Sequence, residues 1–117
     1  MPVRPIAKLS RSDLADLNAF RTVERLRSFT QLPAHNVDIS PEEQAFTQAA
    51  VELGITTSAL SHSVRNLETR LGVRLLNRTS RTVAPTDAGS NLARRLEIGF
   101  NEIGEALDEI NLLRDRP

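Results

Sequence analysis

The chain has 117 residues, a formal net charge of zero and no cysteine. A core of this size cannot also enclose a large substrate cavity, and the lack of cysteine excludes disulfide scaffolds, thiol catalysis and thiolate zinc sites. The first residues have no apolar run of signal-peptide length, and no segment approaches the length of a membrane span. We therefore expect a small cytoplasmic protein with no membrane partner.

The first predicted element is a helix that begins after Ser12, its predicted N-cap, and ends near Ser28 or Thr30. Its apolar residues recur at helical spacing and should face the core: Leu14, Leu17, Phe20, Val23 and Leu26. The stretch "QLPAHNVDIS" that follows contains a proline and several turn-forming residues. The helical pattern should break there.

A second helix is predicted from "SPEE", with Ser40 as N-cap, Pro41 at the first helical position and two acids in the first turn. The residues that should face inward are Phe46, Ala49, Ala50 and Leu53. Gly54 should end this helix.

A third helix is predicted from Thr57 to Leu71, and its apolar stripe consists of Leu60, Val64, Leu67 and Leu71. The opposite face carries short polar side chains and one guanidinium: Ser58, Ser61, His62, Arg65 and Thr69. Ala50 should be small because the third helix crosses the second helix closely there, and Ile55 and Leu60 should fill the angle between the two. This order of features is typical of a helix-turn-helix, whose second helix fits a DNA major groove.

The stretch "VRLLNRTSRTVAPT" predicts two short strands joined by a tight turn, with Pro85 ending the second strand. Thr86 is the predicted N-cap of a last helix of about 28 residues. Its apolar seam consists of Leu92, Leu96, Phe100, Ile103, Leu107 and Ile110. Such a seam exceeds what a small core can cover, so we expect a dimer interface formed by its last five members.

Charge is unevenly distributed along the chain. Between residues 57 and 84 there are five arginines, at positions 65, 70, 74, 78 and 81, against Glu68 alone. Arg78 and Arg81 flank the predicted turn of the hairpin, where they can reach phosphates or the adjacent minor groove. A charge run is often only a solvated surface, but its position after a helix-turn-helix favours contact with DNA.

The serine and histidine residues of the chain do not form a pattern that indicates catalysis. The serines beside His62 lack an orienting acid and a pocket, so they do not form a hydrolytic site. His35 and His62 have no metal-ligand spacing with the acids around them, and there is no glycine-rich phosphate loop. We expect no enzyme activity, no cofactor and no metal.

Two segments, "DLADLNAFRTV" (13–23) and "AFTQAAVELGITTSALSHSVRNLETRLGVRLLNRTSRTVAPTDAG" (45–89), resemble the N-terminal DNA-binding domain of LysR-type transcriptional regulators. The resemblance implies a mainly α, winged helix-turn-helix that binds promoter DNA as a homodimer, with its long linker helices antiparallel. It puts Thr57, Ser58, Ser61, His62 and Arg65 on the recognition helix and Arg78 and Arg81 on the wing. Position 62 is often arginine in the family and is histidine here. Residues 10–85 would form the DNA-binding domain and residues 86–114 the linker and dimerisation helix.

The chain departs from the family pattern in two ways. A motif that the family has once is present here at residues 28–30 ("SFT") and again at 45–47 ("AFT"), which indicates an insertion at about 31–45 that we expect to stay at the surface. Relatives continue into an effector-binding domain, so we expect no small-molecule effector site in this chain. Two alternatives remain open at this point: an interaction module that pairs through its long helix with a full-length relative, and a gene remnant without function.

Overall fold

The computed structural model describes residues 9–29, 41–78 and 83–114. Helices dominate this part of the chain, and the two short strands form an antiparallel hairpin. The elements in chain order are α1 (Arg11–Phe29), α2 (Pro41–Leu53), α3 (Thr57–Leu71), β1 (Leu76–Arg78), β2 (Val83–Pro85) and α4 (Asp87–Arg114). The predicted mainly α, winged helix-turn-helix architecture with a long last helix is confirmed.

Helix α1 begins with a capping box. The Ser10 hydroxyl accepts a hydrogen bond from the Asp13 N–H at 3.1 Å, and the Asp13 carboxylate accepts one from the Ser10 N–H at 3.1 Å. The prediction of Ser12 as N-cap was wrong, because α1 begins at Arg11 and Ser12 already lies within the helix. Leu14, expected to face inward, is 42 % exposed.

The core lies between α1, α2 and α3 and extends to the base of the hairpin. Its fully buried side chains include Phe20 and Val23 of α1, Leu60, Val64 and Leu67 of α3, and Leu75 and Leu76 beyond α3. Helix α2 contributes mainly alanines, and Ala49 and Ala50 pack in one cluster with Leu60. Small side chains let helices approach closely, and the burial of Ala50, which is 3 % exposed, agrees with the close crossing expected there.

Two glycines end α2 and α3 in the same way. Gly54 and Gly72 both have φ of +70°, a left-handed conformation that costs other residues free energy. The N–H groups of Gly54 and Ile55 bind the carbonyls of Val51 and Ala50 at 3.1 and 2.9 Å, which satisfies the end of α2. Ile55 itself is 40 % exposed, so the expectation that it fills the angle between α2 and α3 was wrong; Leu60 occupies the core there.

The predicted insertion overlaps a structured element. Its last residues belong to the first turns of α2, and Ala45 is completely buried. The expectation that the insertion stays at the surface was therefore wrong for Ala45, because the apolar face of α2 begins with it. Residues 31–40 lie outside the described part of the chain.

The hairpin pairs Leu76 with Pro85, Asn77 with Ala84, and the main chains of Arg78 and Val83. Thr86 then caps α4, as predicted, by accepting a hydrogen bond from the Gly89 N–H at 3.0 Å. An added Cβ at Gly89 would meet the Leu75 carbonyl oxygen at 2.0 Å. Only glycine therefore lets α4 approach the base of the hairpin this closely.

Helix α4 has 28 residues, as predicted, but its seam is divided. The first half packs on the domain through Leu92, Ala93 and Leu96, which lie against the core cluster of α1 and α3. Phe100 is half-buried, with the Arg21 guanidinium carbon 4.6 Å from its ring centroid. The expectation that Leu96 and Phe100 belong to a free stripe was thus wrong, because α1 covers that part of the seam.

The second half of the α4 seam faces solvent. Ile103, Leu107 and Ile110 are 54 %, 55 % and 58 % exposed. None of the helices in the described residues is long and apolar enough to cross a membrane.

Candidate nucleic-acid interface

The outer face of α3 is open to solvent along its length. Thr57, Ser58, His62 and Arg65 are exposed, and Ser61 is half-buried at the edge of the face. On the other side, Leu60, Val64 and Leu67 are completely buried, which fixes the rotation of the helix. The structure thus brings the five predicted recognition-helix residues together on one side of α3.

The start of α3 is held by a side-chain cap. Thr56 has extended backbone angles, and its hydroxyl accepts a hydrogen bond from the Ala59 N–H at 3.0 Å. Thr57 and Ser58 are then the first helical residues, at the end where the helix dipole is positive and favours an anion.

Arg70 belongs to the basic stretch in the sequence but pairs with two carboxylates of α1. Its guanidinium lies 3.0 Å from the Asp13 carboxylate and 2.6 Å from that of Asp16, so it ties the end of α3 to the start of α1. Hydrogen bonds from Ser10, together with the Arg70 charge, hold the pKa of Asp13 below its usual range. Arg65 and the exposed Arg74 are the remaining basic residues whose side chains the structure describes between residues 57 and 77.

Glu68 has a role that its charge alone did not reveal. One of its carboxylate oxygens accepts hydrogen bonds from the N–H groups of Leu75, at 2.8 Å, and Leu76, at 3.1 Å. Its main-chain carbonyl accepts two more, from Gly72 at 2.8 Å and Val73 at 3.3 Å. The acid in the basic stretch is therefore bonded to the segment that leads from α3 into the hairpin.

Two further positions on α3 modify the predicted face. The Thr69 hydroxyl donates a hydrogen bond to the Arg65 carbonyl at 2.9 Å, so its proton is used within the helix. Asn66 is exposed beside Arg65 and was missed by sequence reasoning, although its angular position, four residues after His62, could have indicated it. An exposed amide can bind an adenine edge through two hydrogen bonds.

The base of the wing is fixed to α4 as well as to α3. The Thr86 hydroxyl donates to the Arg74 carbonyl at 2.7 Å, and the Thr86 N–H donates to the Leu75 carbonyl at 2.9 Å. Arg78 lies on β1, where the structure describes its main chain, and Arg81 lies outside the described residues.

In the ranges 9–29, 41–78 and 83–114, no group of three or more histidine, aspartate or glutamate residues could hold a metal ion.

Comparison with known proteins places this site in context. Residues 38–90 match the family described as "Bacterial regulatory helix-turn-helix protein, lysR family". The match includes α2, α3, the hairpin and the cap of α4, and it begins after residues 28–30, so it contains the second copy of the repeated motif.

Curated relatives and a solved structure agree with this match. A "Putative transcriptional regulator" of Pseudomonas aeruginosa is 52 % identical over 75 residues, which are 64 % of this chain and 24 % of the relative. The "HTH-type transcriptional regulator PgrR" of Escherichia coli K12 is 38 % identical over 109 residues, 93 % of this chain and 31 % of the relative. The crystal structure of a "BenM_DBD/catB site 1 DNA Complex" has a TM-score of 0.65 at 27 % identity and covers 89 % of this chain and 98 % of that one. This chain spans less than a third of the length of either curated relative.

Proposed function

Because the chain carries a helix-turn-helix domain of the lysR family of bacterial regulatory proteins at residues 38–90, we propose that it is a sequence-specific transcriptional regulator that binds double-stranded DNA in the cytoplasm. One observation carries this proposal: the residues on the outer face of α3 are exposed together while the opposite face is completely buried. The solved relative in complex with DNA supports the same function.

In the proposed complex α3 lies in the major groove. Thr57 and Ser58 at its start meet a phosphate, and the small side chain of Ser61 lets the helix backbone approach the bases. Arg65 reaches the edge of a guanine, the base that arginine binds through two hydrogen bonds. His62 occupies the neighbouring position, where its imidazole contacts a base or a phosphate.

The wing supplies contacts that do not depend on sequence. Arg78 and Arg81 reach phosphates or the adjacent minor groove, and Arg74 adds positive charge at the base of the wing. Phosphate contacts set orientation and affinity, whereas the α3 contacts set specificity.

The proposed functional unit is a homodimer. The exposed Ile103, Leu107 and Ile110 form one side of α4, and a second copy of the chain would cover them while the covered members Leu96 and Phe100 border the interface. Two recognition helices on one face of DNA would then meet half-sites that are whole helical turns apart.

The DNA proposal is tested with the duplex that the wild-type chain selects from a random pool. Arg65→Ala should lower affinity by roughly 1 to 3 kcal/mol and relax preference at one base pair. Arg94→Ala removes an equal charge from α4, away from the proposed interface, and serves as the matched control. If the wild-type chain selects no duplex, or if Arg65→Ala and Arg94→Ala behave alike, the docking of α3 is refuted.

The wing is tested through salt dependence. Arg78→Ala and Arg81→Ala should weaken binding to all sequences and should each reduce the slope of log affinity against log salt by about one. Unchanged slopes in both variants would contradict a phosphate contact.

The dimer is tested by placing charges in the exposed stripe. Ile103→Asp combined with Leu107→Asp should give a monomer in sedimentation, and DNA affinity should fall although every proposed DNA-facing residue is intact. The pair Ile98→Asp and Asn101→Asp adds equal charge to the other side of α4 and should leave the dimer intact. A wild-type chain that already sediments as a monomer at tens of micromolar would refute the dimer.

A second candidate function is an interaction module that pairs through α4 with a longer relative. The exposure of Ile103, Leu107 and Ile110 favours it as much as it favours a homodimer. A chain with only this function would associate but would show no salt-sensitive binding to DNA, so the same measurements separate the two functions.

A further inference from the structure

Glu68 bonds the connection between α3 and the wing through both its main chain and its side chain. Only residues 72–75 separate the end of α3 from the start of β1. Of the N–H groups between residues 72 and 76, those of Gly72, Val73, Leu75 and Leu76 donate hydrogen bonds to Glu68. The bonds from Leu75 and Leu76 go to its side chain, which thus holds the point at which the wing leaves the recognition helix.

Glu68 has no nearby substitute in the described contacts of this connection. Leu75 and Leu76 are 2 % and 1 % exposed, so water cannot easily replace the carboxylate at their N–H groups. A buried N–H without a partner is costly, and the segment would shift to satisfy it. The Thr86 and Gly89 contacts hold the same segment to α4, so a shift would change the position of the wing relative to α3 rather than detach the segment from the domain.

We infer that Glu68 is the positioning residue that sets the wing and the recognition helix in one fixed relation, so that both contact DNA at the same time. This inference rests on the proposed function. Glu68, the acid of the basic stretch, would then contribute to DNA binding although it does not touch DNA in the proposed complex.

Two substitutions separate the effect of the length of the Glu68 side chain from the effect of its charge. Glu68→Gln keeps the length of the side chain and an amide oxygen that accepts both hydrogen bonds, but it removes the charge. Glu68→Asp keeps the charge but shortens the side chain by one methylene, so its carboxylate falls short of Leu75 and Leu76. A positioning role requires that Glu68→Gln behaves like wild type and that Glu68→Asp does not.

The readout is the salt dependence of binding to the duplex that the wild-type chain selects from a random pool. For Glu68→Asp we expect a slope reduced by about two, the combined effect of Arg78→Ala and Arg81→Ala, because the displaced wing no longer reaches its phosphates. Adding Arg78→Ala to Glu68→Asp should then cause no further loss, whereas the two substitutions would be additive if Glu68 acted only on stability. All variants are measured at a temperature at which circular dichroism shows them folded.

A second measurement does not require DNA. Spin labels at His62 and Ala84, both exposed, report the separation of α3 and β2 in the folded chain. We expect one narrow distance distribution for wild type and Glu68→Gln and a shifted or broadened one for Glu68→Asp. Identical distributions in all three would overturn the inference even if DNA binding is confirmed. A wild-type chain that selects no duplex, with the shift present, would instead refute the proposed function alone.

Discussion

Two apolar stripes of the same helical period have opposite environments in this molecule. In α3, Leu60, Val64 and Leu67 are completely buried against α1, α2 and the base of the hairpin. In the second half of α4, Ile103, Leu107 and Ile110 are more than half exposed. The two stripes cannot be told apart by periodicity, so burial depends on which elements lie opposite them.

The difference follows from length. At 1.5 Å per residue α4 is about 42 Å long, and α1 covers only its first half. The principal extents of the described fold, 56 × 45 × 24 Å, reflect a helix that continues beyond the core. The covered stripe stabilises the fold, and the uncovered one is available for association.

Alanine at matching positions should give the largest contrast. Leu67→Ala should lower the free energy of unfolding by about 2 to 5 kcal/mol, because it leaves a cavity in the core. Leu107→Ala should change it by less than about 0.5 kcal/mol in dilute, monomeric protein. Urea unfolding followed by circular dichroism measures both, and equal losses would mean that the α4 stripe is packed within the monomer.

Substitution of glycine by alanine in the covered and uncovered parts of α4 should show the same contrast with smaller changes in stability. Gly89→Ala should destabilise the fold by about 1 to 3 kcal/mol, because its Cβ would lie 2.0 Å from the Leu75 carbonyl oxygen. Gly104→Ala meets nothing within 4 Å and should stabilise the monomer by about 1 kcal/mol through helix propensity. Thermal unfolding should therefore shift in opposite directions, and a loss with Gly104→Ala would indicate a close neighbour at that position.

The boundary between the two halves of α4 is set by Arg21, which lies over Phe100 and donates to Glu97 at 3.2 Å. Arg21→Met should cost about 1 kcal/mol and should speed amide hydrogen exchange in α4 around Phe100. Arg25→Met, which removes an ion pair with Glu52 of α2, is the matched control. If both variants leave exchange in α4 unchanged, Arg21 does not hold this helix.

The smallest expected effect is a dependence of the folding stability on pH, and it comes from two carboxyls of α1. Because the pKa of Asp13 is lowered, its contribution to stability is present above about pH 4 and is lost as the pH falls through the lowered value. Burial raises the pKa of Glu24, so its contribution is complete below about pH 4 and is lost as the pH rises through the raised value.

Relative to wild type, Glu24→Gln should therefore be more favourable at pH 7 than at pH 4, and Asp13→Asn should be less unfavourable at pH 3 than at pH 7. Urea midpoints at these pH values test both signs. A constant difference across pH would show that the two carboxyls titrate alike in the folded and unfolded chains.

Local signals predicted much of this fold. The bounds of α3, the glycines that end α2 and α3, the Thr86 cap and the length of α4 all follow from residues within a few positions of one another. The Ser10 cap could also have been identified, because Asp13 stands three residues later and can return the bond.

Contacts between distant residues could not be predicted in this way. The Arg70 pairs with Asp13 and Asp16 remove one arginine from the basic surface, and Arg21 packs on a helix that follows it by more than sixty residues. Both depend on how α1 lies against α3 and α4, which hydrophobic periodicity does not determine. The same limit explains why Glu68 was counted only as a charge.

Because the first half of α4 is packed against the domain, its exposed second half would move as a rigid rod when the angle between α4 and the domain changes. From Phe100, the last residue packed against the domain, the helix extends about 21 Å to Arg114. A tilt of about 10° at Phe100 would therefore move the far end by roughly 4 Å, close to the rise of three helical residues. In a symmetric pair of chains joined through these helices, a change of angle at the Arg21 contact would occur in both chains, and the two displacements would add. A small rearrangement beside α1 would then produce a large change in the distance between the two recognition helices.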